Sequence, residues 1–183
     1  QRMQAEGPDA VLSPEAIIRL VLDTEPLFPA GTDYHYSDTN YILAGLAIEA
    51  ATDSAYYDVL QQRVLDPLNL AHTAPADRRA LPDLAAGYIV GEAPFGLPSK
   101  VTSSGVLVYN PATEWTGGGL VTNPQDLARW AKALYEGEAL PGDYLDDLLD
   151  AVRKDSTQQA RVGPEVRYGL GVTIHETPLG PAY

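Results

Sequence analysis

The 183 residues of the chain include 25 acidic and 12 basic side chains, a formal net charge of −13 at neutral pH, and no cysteine. This charge would repel a phosphate backbone, so we expect neither nucleic acid nor an acidic membrane surface as a partner. The lack of thiols excludes disulfides, thiolate nucleophiles and cysteine-type zinc sites, and it leaves the redox compartment open. The length predicts one ordinary core and therefore a single domain over 1–183.

Neither a membrane span nor a signal peptide is predicted. No apolar run approaches the roughly 20 residues that a span requires. The first residues, Gln1 to Gln4, lack the basic and then apolar order of a secretory leader. Composition therefore indicates a soluble protein and leaves its compartment open.

The first helix is predicted from its start signals. Residues 1–12 show no periodicity and are expected to form a loop, after which Ser13 can act as N-cap and Pro14 as the first helical residue. A helix over 14–23 follows, and its apolar residues recur at spacings of three and four, which predicts one buried stripe. The stripe consists of Ile17, Ile18, Val21 and Leu22.

Two more helices are predicted in the next part of the chain. Residues 39–52 are apolar almost all round, which predicts a helix buried in the middle of the domain. Asp53 and Ser54 are expected to cap a helix over 55–66, which Pro67 ends.

The remaining elements are shorter. Strands are predicted at 86–90 and 106–109, with a loop over 91–104 between them. A glycine-rich turn followed by Asn123 predicts a helix over 124–136 with an apolar stripe at Leu127, Trp130, Ala131 and Leu134, and another amphipathic helix fits 143–153. Residues 168–174 are predicted to form a strand with no partner on its C-terminal side. Together with the strands predicted at 86–90 and 106–109, this gives two or three strands at most for the whole chain.

Few single residues indicate chemistry. His35, His72 and His175 lack the spacings that metal sites use, so we expect neither a metal nor a cofactor. The glycine triplet 117–119 precedes a helix and could hold an anion on backbone N–H groups, but a packing or turn role is favoured because the phosphate-binding spacings are missing.

Tyr36 lies between a loop rich in proline and glycine and the helix predicted over 39–52. From such a place a phenol can project into a cleft. Most tyrosines in comparable positions are packing residues with a satisfied hydroxyl, so the context alone leaves both roles open.

Four segments resemble those of one enzyme family, in the family's order. Residues 29–49, PAGTDYHYSDTNYILAGLAIE, are similar to the block with a PGT turn and a Tyr-Ser-Asn or Tyr-Ser-Asp triplet in the serine beta-lactamase-like hydrolases. Residues 64–73 resemble its ILDPLGMxxT segment, 115–133 its GGLxSTxxDLARF segment, and 168–171 its YGLGW strand. The family includes class C beta-lactamases, D-alanyl-D-alanine carboxypeptidases, related esterases and D-aminopeptidases.

The resemblance implies acyl-serine chemistry. In the family a serine of an S-x-x-K motif attacks an acyl carbon, the lysine and a tyrosine manage its proton, and a K-T-G or H-x-G strand binds the substrate carboxylate. Tyr36 matches that tyrosine. Asp38 matches the third position of the family's Y-x-N motif, where an ionised carboxylate can accept a hydrogen bond from the lysine but cannot donate one to a substrate carbonyl.

Two family motifs are missing from the sequence. None of its three lysines, Lys100, Lys132 and Lys154, lies three residues after a serine, and no lysine or histidine begins a K-x-G or H-x-G triplet. The chain therefore resembles an internal piece of a longer enzyme. The implied fold is mainly α with a few short strands, the helical region of the beta-lactamase/transpeptidase-like fold without most of its central antiparallel sheet.

Two functional hypotheses follow. The first is part of a serine hydrolase that acts on a small-molecule acyl substrate (an ester, a beta-lactam or a D-amino acid peptide), with no cofactor and with its serine and lysine outside this chain. The second is a non-catalytic binding module that retains the helical scaffold. In either case apolar faces left uncovered could lead to self-association. The resemblance alone suggests a periplasmic or extracellular location.

Overall fold

A computed structural model of the chain describes residues 7–30, 32, 34–91, 97–150, 152–153 and 166–183. The chain forms two compact units. The first unit comprises Gln1–Leu22 and Asp38–Leu127, and the second comprises Asp23–Ser37 and Ala128–Tyr183. In the described part of the chain, no helix combines the length and the apolarity needed to cross a bilayer.

Helix α1, Pro14–Ile18, begins as predicted. The Ser13 hydroxyl accepts a hydrogen bond from the backbone N–H of Ala16 at 3.2 Å, and proline occupies the first turn. The predicted end at 23 is wrong, because turns replace the helix after Ile18. The predicted buried stripe is also wrong, since Ile17 and Ile18 are only half-buried and Val21 and Leu22 are exposed.

Helix α2, Asp38–Thr52, is the longest helix among the described residues and matches its prediction within one residue. Its burial does not match: Ile42 and Gly45 are buried, whereas Leu43 is 49% exposed and Ile48 is 36% exposed. One side of α2 packs on α1 and on the turn that contains Thr116, whose hydroxyl donates to the Tyr41 carbonyl at 2.7 Å. The described residues of this unit leave Leu43 and Ile48, on the other apolar side, exposed.

Helix α3, Tyr56–Leu60, continues as a π-helical turn over Gln61–Leu65. Its predicted cap is wrong, because the backbone N–H of Tyr56 donates at 2.8 Å to the carboxylate of Glu49. The Ser54 hydroxyl bonds instead to the carbonyl of Thr52.

The strands of the first unit are two residues long. Strand β1, Ala74–Pro75, pairs antiparallel with β4, Leu120–Val121, and β2, Thr102–Ser103, pairs with β3, Val106–Leu107. The prediction over 106–109 is thus confirmed only for its first half, and β2 lies inside the predicted loop 91–104. At 86–90 the described structure has a single bridge between Tyr88 and Lys100 in place of a strand.

Helix α4, Pro124–Tyr135, begins where the sequence predicts, because the Asn123 side chain accepts the N–H of Asp126 at 2.8 Å. The Asp126 side chain is fully buried and accepts the N–H of His72 at 2.7 Å and the hydroxyl of Thr73 at 3.2 Å. These bonds tie the helix start to the turn before β1. The predicted stripe holds only in part, since Leu127 is 55% exposed.

The second unit contains a short helix and a four-stranded antiparallel sheet. Helix α5, Leu145–Leu149, is shorter than the predicted 143–153, and the chain continues as strand β5, Val152–Arg153. The sheet order is β5-β6-β7-β8, where β6 is Val166–Tyr168, β7 is Thr173–Thr177 and β8 is Gly180–Ala182.

This sheet corrects two predictions. The single strand expected over 168–174 is interrupted at residues 169–172, so parts of it belong to β6 and β7. The expected lack of a C-terminal partner is wrong, because β7 pairs with β8 from His175 opposite Ala182 to Thr177 opposite Gly180. The described residues hold five α-helices and eight short strands, more than the two or three strands expected.

Replacing Asp126 tests how far its buried carboxylate stabilises the first unit. Asp126→Ala removes the acceptor of two hydrogen bonds, so we expect a loss of about 2 kcal/mol in the free energy of unfolding. Asp126→Asn, which keeps a carbonyl acceptor, should lose less. Urea denaturation followed by circular dichroism measures both.

The control for that experiment is Asp143→Ala, because Asp143 is exposed. It should change the free energy of unfolding by less than about 0.5 kcal/mol. Equal effects of the Asp126 and Asp143 substitutions would contradict the structural role of the buried carboxylate.

Candidate active site

Tyr36 lies two residues before the start of α2, in a segment without helix or strand. Its side chain is 44% exposed. Its ring meets the ring of Tyr168 edge to face, with 6.2 Å between the ring centroids and 80° between the planes. Tyr36 therefore combines a ring contact with substantial exposure of the residue.

Asp38 is the first residue of α2 and is exposed. A carboxylate in the first turn of a helix interacts favourably with the backbone N–H groups there. The chain passes from the second unit to the first between Ser37 and Asp38, so Tyr36 and Asp38 belong to different units. Their roles in catalysis stay predictions.

A second carboxyl group lies close enough to Asp38 to sense its charge. Glu114 directly precedes the 3₁₀ turn Trp115–Gly117. Partial desolvation, together with the negative charge of Asp38, raises the pKa of the Glu114 carboxyl. The same turn lies against α2, since a Cβ atom added to Gly117 would be 3.7 Å from the Cβ of Asp38. The sequence contained no local signal for Glu114, because 75 residues separate it from the helix start.

The glycine triplet serves close packing at its last position. A Cβ atom on Gly119 would lie 2.6 Å from the carbonyl oxygen of Trp115 and 2.7 Å from the hydroxyl of Tyr57. That hydroxyl donates to the Gly119 carbonyl at 3.1 Å, and burial is the first cause that raises the pKa of Tyr57 to about 12. These contacts support the packing interpretation of the triplet.

A separate cavity of about 290 Å³ lies within the first unit. Neither Tyr36 nor Asp38 lines it. Its lining residues are His72, Leu81, Pro82, Asp83, Leu84, Val121, Thr122 and Asn123. Among the residues that the structure describes, no three histidine or carboxylate side chains group as a metal ion would require.

The sequence matches a family model described as Beta-lactamase over residues 2–183. The chain belongs to this family. The match runs through both compact units, so it covers the segment of Tyr36 as well as that of Asp38.

Individual relatives agree with this assignment. Penicillin-binding protein 4* of Bacillus subtilis is 25% identical over 158 residues, 82% of this chain and 33% of that protein. A D-aminopeptidase of Brucella anthropi is 24% identical over 183 residues, 93% of this chain and 30% of that protein. The chain thus spans about a third of the length of these curated relatives.

A solved structure shows the same fold. The D-stereospecific amidohydrolase from Streptomyces sp. is similar with a TM-score of 0.79 and 28% identity, and the match covers 96% of this chain and 49% of that chain. The chain therefore resembles this amidohydrolase in both sequence and structure.

The raised pKa of Glu114 gives a pH test of its closeness to Asp38. Because the folded state holds the Glu114 proton more tightly than the unfolded state, stability falls as the pH rises above the ordinary value of 4.5 and through the raised pKa. Glu114→Gln removes this penalty. Relative to the unmodified chain, the variant should gain free energy of unfolding on going from pH 4 to pH 7, as urea titrations at each pH would show.

Glu25→Gln serves as a control, since it also removes one negative charge but from an exposed residue of the second unit. Adding Asp38→Asn should reduce the benefit of Glu114→Gln. A benefit that is the same at pH 4 and pH 7 would contradict the raised pKa of Glu114, and a benefit that Asp38→Asn leaves unchanged would contradict the proximity of the two carboxyl groups.

Proposed function

We propose that residues 1–183 form one region of a hydrolase that acts through an acyl-serine intermediate, with Tyr36 as a proton-transfer residue. The observation that supports this most is the position of Tyr36: it opens a Tyr-Ser-Asp triplet like that of the family, whose last residue begins α2, and it is 44% exposed. The serine and lysine of the S-x-x-K motif, missing from this sequence, would be supplied by chain outside these residues.

Tyr36 can contribute only together with other groups. An ordinary phenol has a pKa near 10 and is a weak base at neutral pH, so a neighbouring ammonium group has to stabilise its phenolate or relay its proton. In the proposed reaction the serine oxygen forms a bond to the acyl carbon while its proton passes through the tyrosine and lysine. The proton then reaches the leaving amine or alcohol as the acyl–leaving group bond breaks.

Asp38 would support that reaction from the helix start. Its carboxylate can accept a hydrogen bond from the lysine ammonium. It cannot donate to a substrate carbonyl as the asparagine amide of the Y-x-N motif can. This favours substrates whose carbonyl is bound by other groups.

The substrate class proposed is an amide or ester of a small acyl compound. The names of the relatives, a D-aminopeptidase and a D-stereospecific amidohydrolase, favour a D-amino acid amide or peptide over a beta-lactam. The −13 charge also fits a substrate with a free ammonium group better than an anionic one.

The isolated 183-residue chain should have no acyl-transfer activity, because Tyr36 has no S-x-x-K serine to serve. Mixed with nitrocefin or p-nitrophenyl acetate in a stopped-flow spectrometer, it should give no burst and no turnover above buffer. Tyr36→Phe should behave identically. A burst proportional to protein concentration that disappears in Tyr36→Phe would contradict the proposal that the nucleophile lies elsewhere.

We also propose that the chain self-associates through the uncovered side of α2. Leu43 and Ile48 are exposed there, and three alanines extend the same apolar surface: Ala44, Ala47 and Ala51. The −13 charge opposes association, but salt at 0.15 M screens charges beyond about 8 Å. A second copy could therefore cover this surface by hydrophobic contact.

Light scattering over micromolar concentrations tests that contact. The unmodified chain should form dimers or larger species, and Leu43→Glu should shift it towards monomer. Leu179→Glu is the matched control, because Leu179 is fully exposed in the turn between β7 and β8. A monomer at every concentration, or equal effects of both substitutions, would count against the α2 surface.

A further inference from the structure

Two aromatic rings of the segment before α2 contact the same side chain. Tyr34 lies 5.2 Å from Tyr168 between ring centroids, with planes inclined by 44°, and Tyr36 meets the same ring edge to face at 6.2 Å and 80°. All three tyrosines belong to the second unit. Separations of 4.5 to 7 Å with tilted or perpendicular planes are the geometries that aromatic pairs prefer.

The backbone of Tyr168 is fixed by regular structure. Tyr168 ends β6, an inner strand of the four-stranded sheet, and pairs with Val152 of β5 on one side and Thr173 of β7 on the other. Tyr34 and Tyr36, by contrast, lie where the structure has neither helix nor strand. The sheet therefore provides the rigid partner of the contact.

Backbone hydrogen bonds of the two residues after Tyr168 further fix the end of β6. The N–H of Leu170 donates to the carbonyl of Leu148 in α5 at 3.0 Å, and the N–H of Gly169 donates to the carbonyl of Val172 at 2.9 Å. A Cβ atom on Gly169 would lie 2.2 Å from the carbonyl oxygen of Leu148, so only glycine allows this approach. Strand β6 and helix α5 are thus held together directly beside Tyr168.

We propose that Tyr168 is a positioning residue for Tyr36: its ring, held by the sheet, sets the orientation of the Tyr36 ring and so the place of its phenol oxygen. The proposal rests on the proton-transfer role proposed above for Tyr36. An edge-to-face contact restricts the plane of the Tyr36 ring, while the residue stays 44% exposed. Proton transfer requires such restraint, because it depends on hydrogen-bond distances.

The chain itself provides the first test. With tyrosine ¹³C-labelled in the ring and the Tyr36 signal assigned by its loss in Tyr36→Phe, NMR should show a nuclear Overhauser effect between the rings of Tyr36 and Tyr168. Tyr168→Leu should move the Tyr36 signal towards that of an unstructured tyrosine. Tyr168→Phe should leave it in place, since the ring and not the hydroxyl makes the contact.

Tyr183→Leu is the matched control. Tyr183 stacks on Tyr135 with centroids 5.0 Å apart, so its loss removes a tyrosine pair of the same unit that does not include Tyr36. It should leave the Tyr36 signal unchanged. No ring–ring effect between Tyr36 and Tyr168 in the unmodified chain would overturn the proposal, even if Tyr168→Leu did not fold.

The second test uses the gene product that joins this chain to a segment with S-x-x-K. There Tyr168→Leu should lower kcat roughly tenfold with little change in KM, since misplaced catalytic groups slow the chemical step more than binding. It should also shift the alkaline limb of the pH profile of kcat, whereas Tyr168→Phe and Tyr183→Leu should match the unmodified enzyme.

The two proposals fail in different ways. Full activity of Tyr36→Phe in that enzyme would refute the proton-transfer role of Tyr36, whatever the NMR contact shows. Loss of activity in Tyr36→Phe with an unchanged kcat and pH profile in Tyr168→Leu would refute only the positioning role of Tyr168. Equal impairment of Tyr168→Phe and Tyr168→Leu would also overturn it, because the ring contact would then not be the cause.

Discussion

The edge-to-face contact between Tyr36 and Tyr168 is the interaction on which this account of the molecule depends. It links a phenol in a segment without regular structure to an inner strand of a hydrogen-bonded sheet. Chemistry at a tyrosine requires both accessibility and a fixed place, and Tyr36 combines this ring contact with a residue exposure of 44%. Without this contact, nothing in this account would fix the position of the Tyr36 ring.

The two units use different means to fix their elements. In the first unit, the buried carboxylate of Asp126 joins the start of α4 to the turn before β1. Burying this carboxylate costs desolvation free energy, which its hydrogen bonds from His72 and Thr73 offset. In the second unit, backbone pairing in the sheet and the close approach of Gly169 to α5 hold the elements together. The exposed apolar side of α2 shows that the fold of this chain leaves part of its hydrophobic surface uncovered.

Sequence signals predicted correctly those helix starts that depend on interactions between neighbouring residues. Ser13 and Asn123 cap their helices as their positions indicate, and α2 lies within one residue of its prediction. The two-residue strands are too short for a period-two pattern, and the end of α1 depends on turns after Ile18 that its apolar spacing does not reveal. Uniform apolarity predicted full burial of α2, but burial depends on what packs against each side, which no local pattern contains.

The candidate site was predictable to a similar extent. The Tyr-Ser-Asp triplet indicated Tyr36 and Asp38, whereas the contacts of Glu114 and Tyr168 join residues that are distant in sequence.

The central claim is that Tyr36 transfers a proton for a serine that lies outside this chain. The most direct test is to trap the gene product that contains this chain with a p-nitrophenyl ester and to locate the acyl group by mass spectrometry. The account predicts an adduct on a serine of an S-x-x-K segment outside residues 1–183, formed much more slowly in Tyr36→Phe. An adduct on a serine within residues 1–183, or equal rates in both proteins, would contradict it.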